Sequence, residues 1–416
     1  MAAVIEKVNV KDIEVPLIYE EDKRLPIVTI KVVFRVSGSS QDEKNSGLAK
    51  LSAKMMSEGT LKKGAIAFAE ELDSKAIHLG VGAGVETFSF DIDVLKDEYT
   101  SAVDLFKELL EDPNLSKKTL EKVKKITIGS LTRKENDFDY TASAELKKLL
   151  FSGTLSEPQL GTIESVENIK LSEVKKFLKD HLVISRAMVV IGGDISLSEA
   201  KAAMKSILKL LAKGKSSELM HQIASSSEKE SVLERKTEQA YIYFGAPYNM
   251  DKNSKEYYKA RVSMFVLGAG GFGSRLMEEI RVKRGLAYSA YCYTRITKST
   301  SSFNGHMQTK LDSMDEAKKV TQEVISNFVK NGITAKELDQ AKKYLQGSEP
   351  LRTETLAQRL GRTFGEYYDG LPLGNSAIEL EKIAKLTLED INKFIKEHSE
   401  INKLSFAIVT NESKKK

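Results

Sequence analysis

The sequence predicts an α+β protein of two homologous domains, each a mixed, mainly antiparallel β-sheet packed by helices, related by internal duplication. Three observations predict it. Strand-like runs are followed by runs of helical pattern rather than alternating with them one for one. The order of these runs repeats once along 416 residues, a length beyond one ordinary core. A polar stretch, "AKGKSSELMHQIASSSEKES" (212–231), separates two blocks of ordinary domain size. The expected division is therefore 1–211, a linker at 212–231, and 232–416.

Each element follows from local chemistry. "IVTIKVVFRVSG" (27–38) is apolar and β-branched and predicts a strand. After the polar turn "SQDEKNS", the stretch "SGLAKLSAKMMSEGT" (46–60) carries Leu48, Leu51 and Met55 at helical spacing and ends on Gly59-Thr60. "VETFSFDIDVL" (85–95) alternates cleanly as a half-buried strand, and "YTSAVDLFKELLED" follows as an amphipathic helix. "LSKKTLEKVKK" (115–125) opens a further helix, with Ser116 as N-cap. The second half repeats the plan. "QAYIYFGAPY" (239–248) is the strand, "NMDKNSK" the turn and "YYKARVSMFVL" the helix. "SSFNGHMQT", "SMDEAKKVTQEVISNFVKN" and "ITAKELDQAKK", with Thr334 as N-cap, match the later elements.

Composition narrows the classes. Hydrophobic residues at 41% and charged residues at 30% are those of a soluble globular chain. The formal charge of +5 comes from 64 basic and 59 acidic residues interspersed along the sequence, which gives no nucleic-acid footprint. Only the terminal "ESKKK" (412–416) is a charge run, and it reads as a frayed tail. The lone Cys292 excludes an intrachain disulfide and a thiolate cluster and reads as a small buried hydrophobe. No apolar run reaches the length of a membrane span. The N-terminus has no secretory pattern, so either the cytoplasm or, after removal of a signal, the bacterial periplasm fits.

Five histidines are present (78, 181, 221, 306 and 398), no two within a helical turn, and they read as ordinary surface residues. "LGAGGFGSRL" places Gly268, Gly270 and Gly273 in G-x-G-x-x-G register, with Gly271 among them. The preceding pattern is helical rather than strand-like, so the cluster predicts a flexible loop instead of a dinucleotide cradle. In "EEIRVKRGLAYSAY" (278–291) a charged helix end breaks at Gly285 and enters a strand bearing Tyr288 and Tyr291. Taken alone, this is a helix C-terminus favoured by cations followed by aromatic cross-strand pairs.

Together these residues resemble a family. "GGFGSRLMEEIRVKRGLAYSAY" is similar to the C-terminal signature of the pitrilysin and mitochondrial processing peptidases, zinc enzymes with an inverted H-x-x-E-H motif. "SGLAKLSAKMMSEGT" is similar to their zinc helix, with Gly47, Ala49, Met55, Gly59 and Thr60 in place. "RKENDFDYTASAELKKLLFSG" and "LGTIESV" resemble the segment after the family's distal glutamate ligand, and the likeness spans nearly the whole chain. Lys50 and Lys54 stand where the ligand histidines would be, Ala53 replaces the general-base glutamate, and the distal ligand falls on Ser130 or its neighbour Gly129. Ammonium groups repel Zn²⁺ and lack a donor lone pair. The resemblance therefore implies no metal or cofactor in this chain, and no hydrolysis by it alone. Lys50 and Lys54 form a like-charged pair one turn apart, with Glu58 placed to offset part of the repulsion.

The resemblance also implies that Arg281 and Tyr288, seven residues apart, serve another zinc site: the guanidinium holding a substrate carbonyl or carboxylate and the phenol donating to the developing oxyanion. The implied partner is a homologous zinc-bearing peptidase subunit in a heterodimer, with a homodimer as the other arrangement, and the implied ligand is a peptide or unfolded segment. Gly268, Gly270, Gly271 and Gly273 would form a substrate loop. A non-catalytic structural, assembly or peptide-binding protein of the same fold is the alternative.

Overall fold

Alternation along Thr87–Leu95 puts Phe88, Phe90, Ile92 and Val94 on one face of a strand, and all four are buried. Its whole length pairs antiparallel with Ile27–Arg35, so Phe34, Val32, Ile30 and Val28 lie directly opposite. The computed structural model describes residues 3–411. The tail read as frayed, 412–416, lies outside them.

The first sheet contains β1 (Val4–Val10), β2 (Ile13–Glu21), β3 (Ile27–Arg35), β4 (His78–Ala83), β5 (Thr87–Leu95) and β6 (Ala187–Gly193) in the order β1-β2-β6-β3-β5-β4. Only β2 and β6 run parallel. The helices α1 (Leu48–Met56), α2 (Gly64–Ser74), α3 (Tyr99–Glu111) and α4 (Lys117–Lys134) belong to this half. α1 and α2 pack on β4, and α3 packs on β5. Phe34, Phe88, Phe90 and Phe106 form a chain of aromatic contacts through the core.

The second sheet contains β7 (Gln222–Ile223), β8 (Glu230–Glu234), β9 (Gln239–Ala246), β10 (Ala287–Ile296), β11 (Thr300–Lys310) and β12 (Ser405–Thr410). Its order is β10-β11-β9-β12-β8, with β7 beside β11. The main ladder is antiparallel except for β12 with β8. Reading β8, β12, β9, β11 and β10 against β2, β6, β3, β5 and β4 gives the same order and the same directions, as duplication predicts. Phe244 meets Phe303 and Phe406 in this core. A Cβ at Gly305 would lie 2.1 Å from the Phe244 ring, so only glycine fits there.

The chain divides into two compact units, Met1–Arg133 with Glu157–Leu219 and Arg352–Gly365, and Lys134–Ser156 with Met220–Leu351 and Glu366–Lys416. Two segments thus depart from the linear division expected at 212–231. Asp139 brings the first, 134–156, into the second unit: it accepts from the Tyr243 hydroxyl at 3.1 Å and from Gln308 Nε2 at 2.5 Å. Arg359 ties the second, 352–365, to the first unit through Glu20 and Asp22, each at 2.6 Å. The polar stretch itself is structured at both ends. The Ala212 and Lys213 carbonyls accept from Ile184 and Ser185, while β7 and the start of β8 lie within its second half.

Three of the five histidines correct the surface reading, while His78 and His221 are exposed as expected. His306 lies between Tyr243 and Tyr291, His398 stacks on Tyr248 and pairs with Glu400, and His181 stacks on Phe177. His181 Nδ1 accepts from Arg186 Nη1 at 2.6 Å, a geometry that requires the neutral ring. Burial and then the Arg186 charge hold its pKa down at about 4, against an ordinary 6.5. A depressed histidine pKa leaves its stability contribution intact above the unfolded value and removes it as pH falls toward the folded one. Urea midpoints should therefore drop between about pH 6.5 and 4. His181→Gln, which keeps an acceptor for Arg186 but cannot ionise, should flatten that part of the profile.

Candidate functional site

α1 begins at Gly47, whose φ of +95° is left-handed, and a Cβ there would lie 2.7 Å from the Leu160 carbonyl oxygen. The Asp42 carboxylate caps the helix by accepting from the Gly47 N–H at 2.9 Å and the Ala49 N–H at 2.8 Å. At the other end Gly59 is also left-handed (φ +71°), and buried Thr60 bridges to Gly64 and Pro113. The Gly-Thr ending is therefore a structural tie. Leu48, Leu51, Met55 and Met56 pack inward, and Ala53 is buried with them.

Lys50 and Lys54 are the half-buried members of α1. Lys54 Nζ donates to the Thr127 hydroxyl on α4 at 2.8 Å. Burial, then the Lys50 charge, lowers the Lys54 pKa. Glu58 does not offset this pair, because Lys122 takes its carboxylate at 2.6 Å. Thr127 is the α4 side chain that Lys54 reaches; Ser130 lies one turn further along, half-buried. Sequence reasoning missed Thr127. Its signal was helical spacing, since 127 and 130 share one face of α4. Among the described residues no group of three His, Cys, Asp or Glu can hold a metal ion. Two ammonium groups, an alanine methyl and a hydroxyl do not fit zinc.

The second half carries the other chemistry. The helix Tyr257–Met264 continues as a wider π-helical turn over Phe265–Ala269, so the glycines do follow a helix. They divide into two kinds. A Cβ at Gly268 would lie 2.5 Å from Cys292 Sγ, and one at Gly270 would lie 2.6 Å from the Phe265 carbonyl oxygen; both are packing glycines. Gly271 and Gly273 are left-handed (φ +65° and +89°) and face open space. Between them Phe272 is held out, 71% exposed.

A second π-helical turn, Met277–Val282, places Arg281, and left-handed Gly285 ends it with its N–H on the Arg281 carbonyl. The chain enters β10, where a bulge between Ala287 and Ala290 inserts one extra residue against β11. Tyr288 sits in that bulge, 80% exposed. The Arg281 guanidinium carbon lies 4.3 Å from the Tyr288 ring centre and 4.6 Å from that of Phe272. The structure thus brings Arg281 and Tyr288 together and adds Phe272. The glycines on either side of an isolated aromatic were its signal in the sequence.

Neighbouring cations are spent. Lys283 and Arg284 both bind Glu279, and Arg275 forms a two-point pair with Glu337. Among the described residues Arg281 makes no ion pair or hydrogen bond through its side chain. Its donors are left for a ligand.

Known proteins share this layout. Residues 17–137 match the family described as "Insulinase (Peptidase family M16)", and residues 168–345 match "Peptidase M16 inactive domain". The chain is 42% identical over 416 residues to a "Non-peptidase homolog YmxG" from Helicobacter pylori, covering 100% of this chain and 96% of that one. It is 24% identical over 349 residues to an "Uncharacterized zinc protease YmxG" from Bacillus subtilis, 84% of each chain. Its fold is similar to a crystal structure of a peptidase M16 inactive domain from Pseudomonas fluorescens, with a TM-score of 0.90, 24% identity and 100% of both chains covered.

Lys54→Met keeps an unbranched side chain one atom shorter and removes a half-buried like charge. Thermal unfolding should show it unchanged or more stable by a few tenths of a kcal/mol, the scale of one like-charge pair. A loss beyond about 1 kcal/mol would show that the ammonium–Thr127 bond outweighs the repulsion.

Proposed function

This chain belongs to peptidase family M16, and from that premise we propose that it is a zinc-free subunit that lends Arg281 and Tyr288 to the zinc site of a homologous partner. The observation that carries this reading is the stacked Phe272–Arg281–Tyr288 group, exposed and with unspent donors, in a chain whose α1 holds Lys50, Ala53 and Lys54. The name of the Helicobacter pylori relative, a non-peptidase homolog, supports the inactive half of the reading.

The roles follow from the groups themselves. A guanidinium held against aromatic rings keeps its N–H donors uncommitted and can receive a carboxylate or carbonyl oxygen in two-point fashion. Tyr288 has a hydroxyl with no partner among the described residues, so it can donate to an oxyanion as charge builds there. Phe272 positions Arg281, and Gly271 and Gly273 supply the backbone freedom that holds Phe272 out. Substrate on this reading is an extended peptide or unfolded segment.

Mixing experiments test it. The purified chain, supplied with zinc salt, should leave an unfolded fluorogenic peptide intact. Combined with a homologous chain that carries H-x-x-E-H, it should give chelator-sensitive cleavage. Arg281→Ala or Tyr288→Phe in this chain should each lower kcat/KM of the mixture about 100-fold, the scale measured for one oxyanion donor. Chelator-sensitive cleavage by this chain alone, or a mixture indifferent to both substitutions, would overturn the proposal.

A further inference from the structure

We propose that Lys50 and Lys54, with the Thr127 hydroxyl that Lys54 reaches on α4 and Ser130 one turn further along that helix, form an oxyanion site that takes a carboxylate of a bound peptide. The site lies wholly in the first compact unit and is separate from Arg281 and Tyr288 in the sequence and in its elements.

Charge is the first ground. Lys50 and Lys54 are one helical turn apart on one face, and the charge acting on Lys54 is the like charge of Lys50. Other half-buried lysines of this unit have acids: Lys63 takes both Glu71 and Glu108, and Lys75 takes Glu98. Glu58, in the turn just past the end of α1, is occupied by Lys122. Among the described residues no carboxylate pairs with Lys50 or Lys54. Two adjacent cations, partly withdrawn from water and left without a counter-charge, destabilise the chain unless an anion joins them.

Donor count is the second ground. An ammonium has three N–H donors, and Lys54 commits one to Thr127. The remaining donors of both lysines point to no protein acceptor among the described residues. The half-buried Ser130, one turn from Thr127, adds a neutral hydroxyl suited to an oxygen anion. Local charge excludes a metal cation and favours its opposite. Charge-assisted bonds from Lys to carboxylate are about twice as strong as neutral ones.

The choice of a peptide as the carrier rests on the peptide-binding reading above; the anion preference does not. Calorimetry on this chain alone, at low salt because exposed charges are screened, separates the two. The titrants are a short acid-free peptide with a free C-terminus, the same peptide amidated, an amidated version with one glutamate, and inorganic phosphate. At least one carboxylate-bearing peptide should bind, and the amidated acid-free one should bind about tenfold more weakly or not at all, as loss of one charge-assisted bond requires. Whichever acid binds names the source, C-terminus or side chain. Lys50→Met and Lys54→Met should each lose about tenfold in affinity while melting as the parent does. Should either variant fail to fold, reductively methylated parent protein, which keeps its charges, gives the answer: the Lys54 methyl resonance should shift with the acid and not with the amide. Equal binding of acid and amide, unaltered binding by both variants, or binding of phosphate alone would overturn the proposal. Because no partner subunit is present, failure here leaves the role of Arg281 and Tyr288 to its own mixing experiment.

Discussion

Burial of α1 is the constraint on which the first site depends. Seven of its nine residues are buried, so only Lys50 and Lys54 keep side chains that reach partly exposed space. The Asp42 cap, the left-handed Gly47 and the Gly59-Thr60 tie fix both ends of the helix. With its ends and apolar face fixed, the helix cannot rotate two ammonium groups into bulk water. It can be kept for packing while Lys50 and Lys54 vary, because these two lie off the buried face that Ala53 shares with the packing residues.

The same separation explains what the sequence made legible. β3, β5 and β9 each show one clear pattern, either alternation or a β-branched and aromatic run, and their positions were readable; β11 was weaker and was placed through the repeat. β6 and β12 are buried along their whole length and lie between two neighbours, so no alternation marks them. β2 is buried continuously from Val15 to Glu20, and it includes Pro16 and a carboxylate whose partner, Arg359, is 339 residues away. β4 contains Gly80 and Gly82, which weaken any strand signal. Nothing local marks 134–156 as part of the second unit, since Asp139 finds Tyr243 and Gln308 only in the folded chain.

The sites were legible to different degrees for the same reason. Lys50, Ala53 and Lys54 share a helix, and spacing alone puts them on one face. The partner on α4 depends on how two helices meet, which a one-turn shift in alignment alters, and Lys54 meets Thr127 rather than Ser130. Arg281 and Tyr288 were singled out as a pair only through the family resemblance. What spacing could not give was the stack, because it requires the bulge in β10 and two left-handed glycines around Phe272.

How Arg281 is held matters more than that it is held. A carboxylate partner would fix the guanidinium by consuming the donors that a ligand needs, as Glu337 does for Arg275 and Glu279 for Arg284. Aromatic rings hold it instead by cation–π contact, at about 0.5–1 kcal/mol per exposed contact, and consume none of its N–H donors. The cost is two large aromatic surfaces left in water, 71% and 80% exposed. Acids are present within the same segment, at Glu278 and Glu279, yet Glu279 serves Lys283 and Arg284. The arrangement therefore orders the guanidinium before a ligand arrives while sparing its hydrogen-bonding edge. That preorganisation lowers the entropy a ligand would lose on binding to the guanidinium edge.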